Sequence, residues 1–290
     1  MTVPSVLVGI ATRDRAGELE RAIASAQAQS HRPLRIAVVD DASSDATPAL
    51  QARYPEVSWR RFDIHRGLVA ARNALMMTAQ DRYYVSLDDD AWFMAGDEIA
   101  RAVDYLESQQ DVAVVAFDIL SADRPAPQPR GPVQPGAMFI GCGHVIRLAA
   151  VRAVGSYAAF PGLYGGEEKD LGLRLIEAGY GIVKIPGLHV WHDKSMQARD
   201  LVAQHRSGVC NDLVMIWRRA PVLLLPPFLL WKLVRHLLFA ARLDLTRPCL
   251  AGIADFVRAI GRGEGRRAPL RLVTFSRYSA LLASSADGAA

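Results

Sequence analysis

Three consecutive carboxylates, Asp88, Asp89 and Asp90, directly follow an apolar run at residues 83–87. Crowding three negative charges costs Coulomb repulsion, which a bound divalent cation would remove. Because alternate residues of a strand share a face, Asp88 and Asp90 can point to the same side. Carboxylate oxygens are the ligands that Mg²⁺ and Mn²⁺ prefer. The run therefore predicts a divalent-metal site, although a solvated turn with helix N-caps has the same composition.

A second acidic pair, Asp40 and Asp41, ends another apolar run at residues 36–39. Ser44 or Asp45 can serve as the N-cap of a following helix, but an N-cap does not explain Asp40. A carboxylate at the end of a buried strand can accept hydrogen bonds from a nucleotide base or a ribose. Asp40 is therefore a candidate nucleotide contact.

A third acidic cluster, Glu167, Glu168 and Asp170, follows a glycine pair at 165–166 and opens a predicted helix at 171–178. Negative charge at a helix N-terminus is favourable by itself, at about 0.3–1 kcal/mol per residue. Two flexible glycines directly before the acids suit a binding loop better than a plain helix cap. The cluster is therefore a second candidate for chemistry.

Short apolar runs alternate with amphipathic helical patterns through the first two thirds of the sequence. This alternation predicts an α/β fold in which a mostly parallel central sheet carries helices on both faces. Ligands of such sheets bind beyond the carboxyl ends of the strands, where the first two acidic clusters lie. The predicted strands are 6–10, 34–39, 83–87, 112–119 and 182–185, and the predicted helices are 17–29, 68–79 and 96–108.

Two regions fall outside this alternation. Five prolines within residues 121–135 predict a surface loop. After about residue 195 the pattern becomes helical throughout. We therefore predict a catalytic α/β domain over residues 1–200 and a helical, basic extension over residues 201–290.

The overall composition is that of a globular protein. Of 290 residues, 51% are hydrophobic and 22% are charged, which excludes disordered, collagen-like and coiled-coil classes. The net charge of +4 hides an uneven distribution, since residues 1–216 hold 22 basic and 26 acidic residues whereas 217–290 hold 12 and 4. Because the acidic body would repel phosphate and no nucleic-acid motif is visible, nucleic acid is not an expected partner. Cys142, Cys210 and Cys249 are predicted to be buried free thiols of a reducing compartment.

The motifs and their order over about residues 5–195 resemble the family-2 glycosyltransferases, which share the GT-A fold of nucleotide-sugar enzymes. The acidic segment at 39–47 is similar to the family's VDDGSSDGT segment with alanine at both glycine positions, and His65 stands where the family usually has asparagine. The other matching segments are the opening strand and loop at 8–15, His65-Arg66-Gly67 with Ala71-Arg72-Asn73, the metal motif Leu87-Asp88-Asp89-Asp90, Gly141-Cys142-Gly143 with Arg147, the acidic helix start at 166–174, and Val190-Trp191-His192.

The resemblance implies a GT-A fold with a helical C-terminal extension, and it implies a role for each segment. Contacts to the nucleotide sugar are implied for Thr12, Arg13, Asp40, Asp41, Arg66, Arg72, Asp88 and Asp89. Ligation of Mn²⁺ or Mg²⁺ is implied for Asp88, Asp90 and His192, and a place on the acceptor side for Gly141 and Asp170.

The resemblance also implies an inverting transfer of a sugar from a UDP- or dTDP-sugar to a cell-surface glycan or a lipid-linked acceptor. Glu168 aligns with the usual base of the family, and Glu167 is the second candidate. Two alternatives stay open. A sugar-1-phosphate nucleotidyltransferase is disfavoured because residues 9–17 lack a glycine-rich basic phosphate loop. The other alternative is a non-catalytic nucleotide- or glycan-binding protein of the same fold.

The basic tail contains two apolar stretches, 222–225 and 228–240, separated by Pro226 and Pro227. A spanning helix needs about 20 apolar residues without interruption, so spanning is not expected. Basic residues beside Trp and Leu suit a helix in the interface of an anionic membrane, and a core-packing helix is the alternative. The small polar residues 283–290 are expected to be disordered.

The expected location is the cytoplasm, peripheral at the inner face of the cytoplasmic membrane. The N-terminal apolar run at 6–11 is short and is followed at once by Thr12, Arg13 and Asp14. A secretory signal is therefore not expected.

Overall fold

The computed structural model describes residues 3–127, 130–194 and 200–284. A nine-stranded sheet forms the centre of the fold. In chain order the strands are β1 Val6–Thr12, β2 Leu34–Asp40, β3 Ser58–Arg61, β4 Tyr83–Asp88, β5 Ala91–Phe93, β6 Val112–Leu120, β7 Gln134–Gly136, β8 Gly143–Arg147 and β9 Gly181–His192. The helices of the described residues are α1 Ala16–Gln27, α2 Leu50–Arg53, α3 Leu68–Thr78, α4 Glu98–Ser108, α5 Leu148–Val154, α6 Glu167–Glu177, α7 Leu201–Arg219, α8 Leu225–Arg242, α9 Thr246–Gly261 and α10 Leu272–Ser284.

Four neighbouring strands, in the spatial order β3-β2-β1-β4, run parallel. All seven residues of β1 are buried, because this strand lies between β2 and β4 and packs on both faces of the sheet. The register sets Thr12 beside Asp40 and Ala11 beside Asp88. The carboxyl ends of three adjacent strands therefore bring the first two acidic clusters to one edge of the sheet.

The other half of the sheet is mixed. Strand β8 runs antiparallel to both β4 and β6, and β9 is parallel to β6 but antiparallel to β5 and β7. The described part of the connection from β6 to β8 contains no α-helix, and a chain that returns without a crossover helix enters the neighbouring position antiparallel. The predicted parallel pairing therefore applies to the first four strands and to the β6–β9 pair.

The predicted strands and helices are all present, and the largest difference lies in β9, which continues to His192. The predicted loop at 121–135 is confirmed apart from a bridge between Ser121 and Arg124 and the start of β7. Residues 128–129 of that loop lie outside the described residues.

Apolar side chains pack in two clusters, one on each face of the sheet. Alternation along β1 sends Val6, Val8 and Ile10 to the cluster covered by α1 and α4. Leu7 and Ala11 join the opposite cluster, which α3, α5 and α6 cover. The C-terminal helices α7 and α10 extend this second cluster, and α7 forms a third cluster with α8 and α9. The regular elements of residues 201–284 are all helices, while the division of the chain at residue 200 stays a prediction.

The proline pair does not interrupt the apolar stretch of the tail, contrary to the sequence-based expectation. Pro226 and Pro227 lie in the first turn of α8, where a missing N–H costs no hydrogen bond. By length and composition, Val222–Arg242 could cross a membrane, with a mean hydropathy of 1.6 and none of its apolar window buried. The expected disorder at the end of the chain is also wrong for Ala283 and Ser284, which complete α10. Residues 285–290 lie outside the described residues.

Candidate active site

The middle carboxylate of the Asp88–Asp90 run is anchored inside the protein. Asp89 is buried, and its two oxygens accept hydrogen bonds from the Thr12 hydroxyl and from Arg15 Nη1, both at 2.9 Å. Burial raises the pKa of Asp89 to about 6, although Arg15 opposes that shift. Asp89 therefore fixes the loop after β1 to the end of β4, and it presents no free oxygen pair to a ligand.

The flanking carboxylates meet His192 at the end of β9. Asp90 Oδ1 lies 3.2 Å from His192 Nε2, and the ligand atoms of Asp88, Cys142 and His192 all lie within 4.8 Å of one another. His192 Nδ1 is 3.6 Å from Cys142 Sγ. Burial raises the pKa of the Cys142 thiol well above its usual range, so the sulphur stays protonated. The antiparallel β5–β9 pair, which sets Ala91 opposite His192, brings these groups together.

A buried guanidinium joins this cluster to the third acidic cluster. Arg72 on α3 is 2% exposed, and it donates to Asp88 Oδ1 at 2.6 Å and to Glu168 Oε1 at 3.0 Å. Burial would lower the pKa of Arg72, but the carboxylates of Asp88 and Glu168 outweigh burial and raise it well above its usual value. A Cβ at Gly141 would lie 2.4 Å from the Arg72 guanidinium and from Glu168 Oε1. Any larger residue at position 141 would therefore force the Arg72–Glu168 ion pair to shift.

The neutral side chain of His144 contacts the loop that carries Gly141. Burial lowers the pKa of His144 to about 3. Its Nδ1 lies 3.0 Å from the Ile140 carbonyl oxygen and its Nε2 lies 3.3 Å from the Tyr157 hydroxyl. The ring therefore donates to Ile140 and accepts from Tyr157, which fixes the approach of the loop to Arg72.

The two glutamates at the start of α6 differ in exposure. Glu167 is 4% exposed, and its Oε2 has no hydrogen-bond partner among the described residues. Burial, followed by repulsion from Glu168, raises the pKa of Glu167 to about 7. The Glu168 side chain is 18% exposed and is bound by Arg72 on one oxygen. Glu168 is thus the more accessible of the two carboxylates.

The Asp40–Asp41 pair organises the loops around the cleft. Asp41 is buried and accepts hydrogen bonds from His65 Nδ1 at 2.8 Å and from the backbone N–H groups of Arg66 and Gly67 at 2.7 and 2.8 Å. Asp40 accepts from the Ser43 N–H at 2.8 Å and lies 3.3 Å from Arg61 Nη1. Both carboxylates are therefore engaged within the protein.

A cleft of about 260 Å³ opens at this edge of the sheet. Its lining includes five of the residues expected to contact the nucleotide sugar. The Arg66 side chain lies instead over the Phe62 ring, 4.8 Å from its centroid, and Arg13 is exposed at the rim. The lining residues are Ala11, Thr12, Arg13, Arg15, Asp41, His65, Leu68, Ala71, Asp88, Asp89, Tyr164 and Gln204.

Asp170 does not face this cleft, which corrects its expected place on the acceptor side. Its side chain is fully buried, and its oxygens accept from Arg174 Nε at 2.8 Å and from Arg219 Nε at 2.6 Å. A buried carboxylate bound by two guanidinium groups has no face left for an acceptor. Asp170 instead ties α6 to α7.

The local sequence gave no sign of Asn211, which shapes the loop before the glutamates. From α7, its side-chain Nδ2 donates to the carbonyl oxygens of Gly162, Tyr164 and Gly165 at 2.8–2.9 Å, and its Oδ1 accepts from the Gly162 N–H at 2.8 Å. Gly165 and Gly166 adopt φ values of 84° and 99°, which favour glycine. Asn211 therefore holds the turn that presents Glu167 and Glu168.

A family model matches about the first half of the chain. The sequence model described as Glycosyl transferase family 2 matches residues 7–147, the segment that contributes β1, β4, Arg72 and the Asp88–Asp90 run. Residues 7–147 belong to glycosyl transferase family 2.

Two curated proteins are similar to parts of this chain. The succinoglycan biosynthesis protein ExoO of Rhizobium meliloti is 36% identical over 124 residues, which are 42% of this chain and 35% of that protein. The pre-mycofactocin glycosyltransferase of Mycobacterium tuberculosis is 27% identical over 219 residues, which are 69% of this chain and 45% of that protein. The chain therefore spans less than half the length of either curated relative.

Among solved structures, a mannosyltransferase from Pyrobaculum calidifontis, determined in complex with GDP-Man and Mn²⁺, has a similar fold. The TM-score is 0.60 at 19% identity, and the match covers 99% of this chain and 80% of that one. At this identity the likeness establishes the fold. The chain has the GT-A fold, as the resemblance of its motifs implied.

Proposed function

We propose that this chain is an inverting, metal-dependent glycosyltransferase that moves a sugar from a nucleoside-diphosphate donor to a hydroxyl of the acceptor. The observation that carries the proposal is the buried Arg72, which contacts Asp88 of the strand-end cluster and Glu168 of α6. This contact brings the acids suited to a donor diphosphate and its metal next to the acids suited to activating an acceptor. A GT-A fold around that arrangement supports the same function.

The donor set of this site fits a divalent cation. Asp88, Asp90 and His192 offer oxygen and imidazole ligands, and Asp88 Oδ1 is the oxygen that Arg72 already neutralises. Carboxylate oxygens suit Mn²⁺ and Mg²⁺, whereas the protonated Cys142 thiol does not. A cation bound there would stabilise the negative charge that develops on the leaving diphosphate.

The chain's own residues supply the other requirements of transfer. Glu168 is the proposed base, since it is the more accessible glutamate and can take the proton of the attacking acceptor hydroxyl. Arg72 holds Glu168 through one oxygen, which fixes this carboxylate beside Asp88. Attack from the side opposite the leaving group would invert the anomeric carbon. The loop anchored by Asp41 and the rim residue Arg13 are the proposed donor contacts.

The proposed donors are UDP- and dTDP-sugars, and the proposed acceptor is a cell-surface glycan or its lipid-linked precursor. The similarity to a succinoglycan biosynthesis protein supports an acceptor of this class. The proposed place of the reaction is the cytoplasmic side, at the inner face of the cytoplasmic membrane.

The test is a panel of UDP-, dTDP- and GDP-sugars, assayed with Mn²⁺ or with EDTA for nucleotide release and for transfer to glycan acceptors. We expect release with at least one donor and its loss in EDTA. Glu168→Gln should keep donor binding and lower transfer by about 10²–10⁴-fold, the range for loss of a general base. Asp90→Ala should lose metal-dependent donor binding.

Asp104→Asn serves as the matched control, because Asp104 is an exposed acid on α4 that does not line the cleft. It should keep full activity. Full transfer by the Glu168→Gln protein would disprove the role of Glu168. Formation of pyrophosphate from a nucleoside triphosphate and a sugar 1-phosphate would instead favour a nucleotidyltransferase.

A further inference from the structure

We propose that the outward side of α8 is a docking surface for an anionic phospholipid bilayer, with the helix lying in the plane of the membrane interface. The surface, called here the α8 face, consists of Leu230, Trp231, Val234, Leu237 and Leu238. This proposal concerns binding and does not depend on the transfer reaction.

Large apolar side chains of the α8 face are open to solvent. Leu230 is 64% exposed, Leu238 57%, Trp231 49%, Val234 45% and Leu237 39%. Their spacing of three, four, seven and eight residues places them on one side of an α-helix. Contiguous exposed apolar surface of this kind marks an interaction site rather than ordinary surface variation.

The opposite side of α8 packs against the rest of the protein. Leu229 and Leu233 pack against the cluster formed by α7 and α9. Lys232 Nζ and His236 Nε2 lie 2.7 and 3.0 Å from Asp212 Oδ2 on α7. The helix is therefore held along its inner side, and the apolar outer side is what remains for a partner.

The charges around the α8 face match an anionic surface. Arg235 and Arg242 lie at its edge, with the Arg235 guanidinium 4.9 Å from the centroid of the Trp231 ring. The sequence contains no acidic residue between Asp212 and Asp244. Apolar side chains flanked by arginine and tryptophan are the composition of a helix that lies at a membrane surface.

Two other environments of the α8 face, a second copy of this chain and the interior of a membrane, fit its charges less well. A second copy of this chain would bring Arg235 and Arg242 against their own counterparts with no acid in the helix to neutralise them. A transmembrane position would require Lys232 and His236 to leave Asp212 and enter hydrocarbon, where a charged side chain is costly. A helix lying flat keeps these ion pairs and buries only the apolar side.

Flotation of the full chain with vesicles tests the proposal. Phosphatidylcholine vesicles with and without phosphatidylglycerol are compared at low and high salt. We expect the protein to float with the phosphatidylglycerol vesicles at low salt and to stay at the bottom with phosphatidylcholine alone. Arg235→Gln with Arg242→Gln should weaken partitioning by about 30-fold, which corresponds to about 1 kcal/mol per basic residue.

Leu230→Gln, Val234→Gln and Leu238→Gln combined should abolish flotation. The matched control is Val3→Gln, Met77→Gln and Met94→Gln combined, three apolar residues that are 48–65% exposed elsewhere. The control should float as the unchanged protein does. Circular dichroism and the melting temperature establish that each variant is folded.

Two results would overturn the proposal. One is that the unchanged, folded protein stays at the bottom with phosphatidylglycerol vesicles at low salt. The other is a concentration-dependent dimer that the triple α8 substitution dissociates, which would assign the α8 face to a second copy. Neither result bears on nucleotide release by the cleft, so failure here is distinct from failure of the proposed transferase activity.

Discussion

The site formed by Arg72 and the acids that follow β2 and β4 is called here the strand-end site. This site and the α8 face both depart from ordinary globular packing, the first by burying charge and the second by exposing apolar side chains. At the strand ends, Arg72, Asp89 and Asp90 are buried although they carry charge. On α8, leucine and tryptophan side chains are exposed although they are apolar. Both arrangements cost free energy in an isolated domain, since proteins normally bury apolar side chains and solvate charged ones. Both departures from this rule lie where we propose a binding partner, a nucleotide sugar with its metal at the first region and a membrane at the second.

The two regions also differ in whether other residues of the chain neutralise or cover these side chains. Each buried charge of the site has a partner of opposite sign, such as Arg15 with Asp89 and Arg72 with Asp88. The α8 face has no protein group over it in the described chain. Substitutions should therefore be costly at the first region and mild at the second.

The largest effect is expected for Arg72→Met. Removing the buried cation leaves Asp88, Glu167 and Glu168 without a counter-charge, which should lower the free energy of unfolding by about 3–5 kcal/mol. Chemical denaturation measures this, and the transfer assay should show loss of activity. The control Arg82→Met removes a half-exposed ion pair with Glu107 and should cost at most about 1 kcal/mol. Equal losses in the free energy of unfolding for the two variants would contradict the expected difference between the buried site and the surface.

The next effect depends on pH and concerns Glu167. Because burial raises its pKa to about 7, the folded protein binds this proton more tightly than the unfolded chain does. Stability linked to the group is therefore complete below about pH 4.5 and is lost as the pH rises to about 7. Glu167→Gln, which mimics the protonated acid, should be more stable than the unchanged protein by about 2–3 kcal/mol at about pH 8.

Denaturation of both proteins across this pH range is the measurement, and the difference should vanish near pH 4. Glu56→Gln is the control, because Glu56 is exposed and its substitution should give a flat difference. A Glu167→Gln protein whose relative stability does not change with pH would contradict the assignment.

A smaller effect is expected for Asn211→Ala. The variant loses the hydrogen bonds to the loop at 162–165, and three part-buried carbonyl groups lose this donor, at a cost of about 2 kcal/mol. Because that loop presents Glu168, kcat should fall more than KM rises. Asn211→Asp should be no better, since a carboxylate cannot donate to three carbonyl oxygens. An unchanged kcat in a destabilised Asn211→Ala protein would mean that the residue only stabilises the fold.

The smallest effect is expected on the α8 face. Leu230→Gln should change the free energy of unfolding by no more than about 0.5 kcal/mol, because its side chain is already 64% exposed. Leu233→Gln, on the inner side of the same helix, is the matched comparison and should cost clearly more. Thermal melting distinguishes the two. A large cost at Leu230 would show that the α8 face packs against the protein after all.

The acidic clusters were predictable because each follows a buried strand or opens a helix within a few residues, so local pattern alone locates them. The distant residues that contact these clusters could not be predicted from the sequence. Arg72 meets Glu168 across 96 residues of sequence, and Asn211 holds a loop 46–49 residues away. Local periodicity contains no information on which distant groups pair. The expected acceptor role of Asp170 failed for the same reason, since its partner Arg219 lies on a helix 49 residues later.

Asp212 contacts both α8 and the start of α6. Its oxygens bind Lys232 and His236 of α8, and Oδ1 lies 3.6 Å from the Nζ of Lys169, the residue after Glu168. Asp212 thus ties α8 to the start of α6, so the two helices cannot shift independently without breaking these contacts. With α8 resting on a lipid sheet, Glu168 would stand at a constant height above it. If both proposals hold, transfer would favour acceptors whose growing ends reach that height above the membrane.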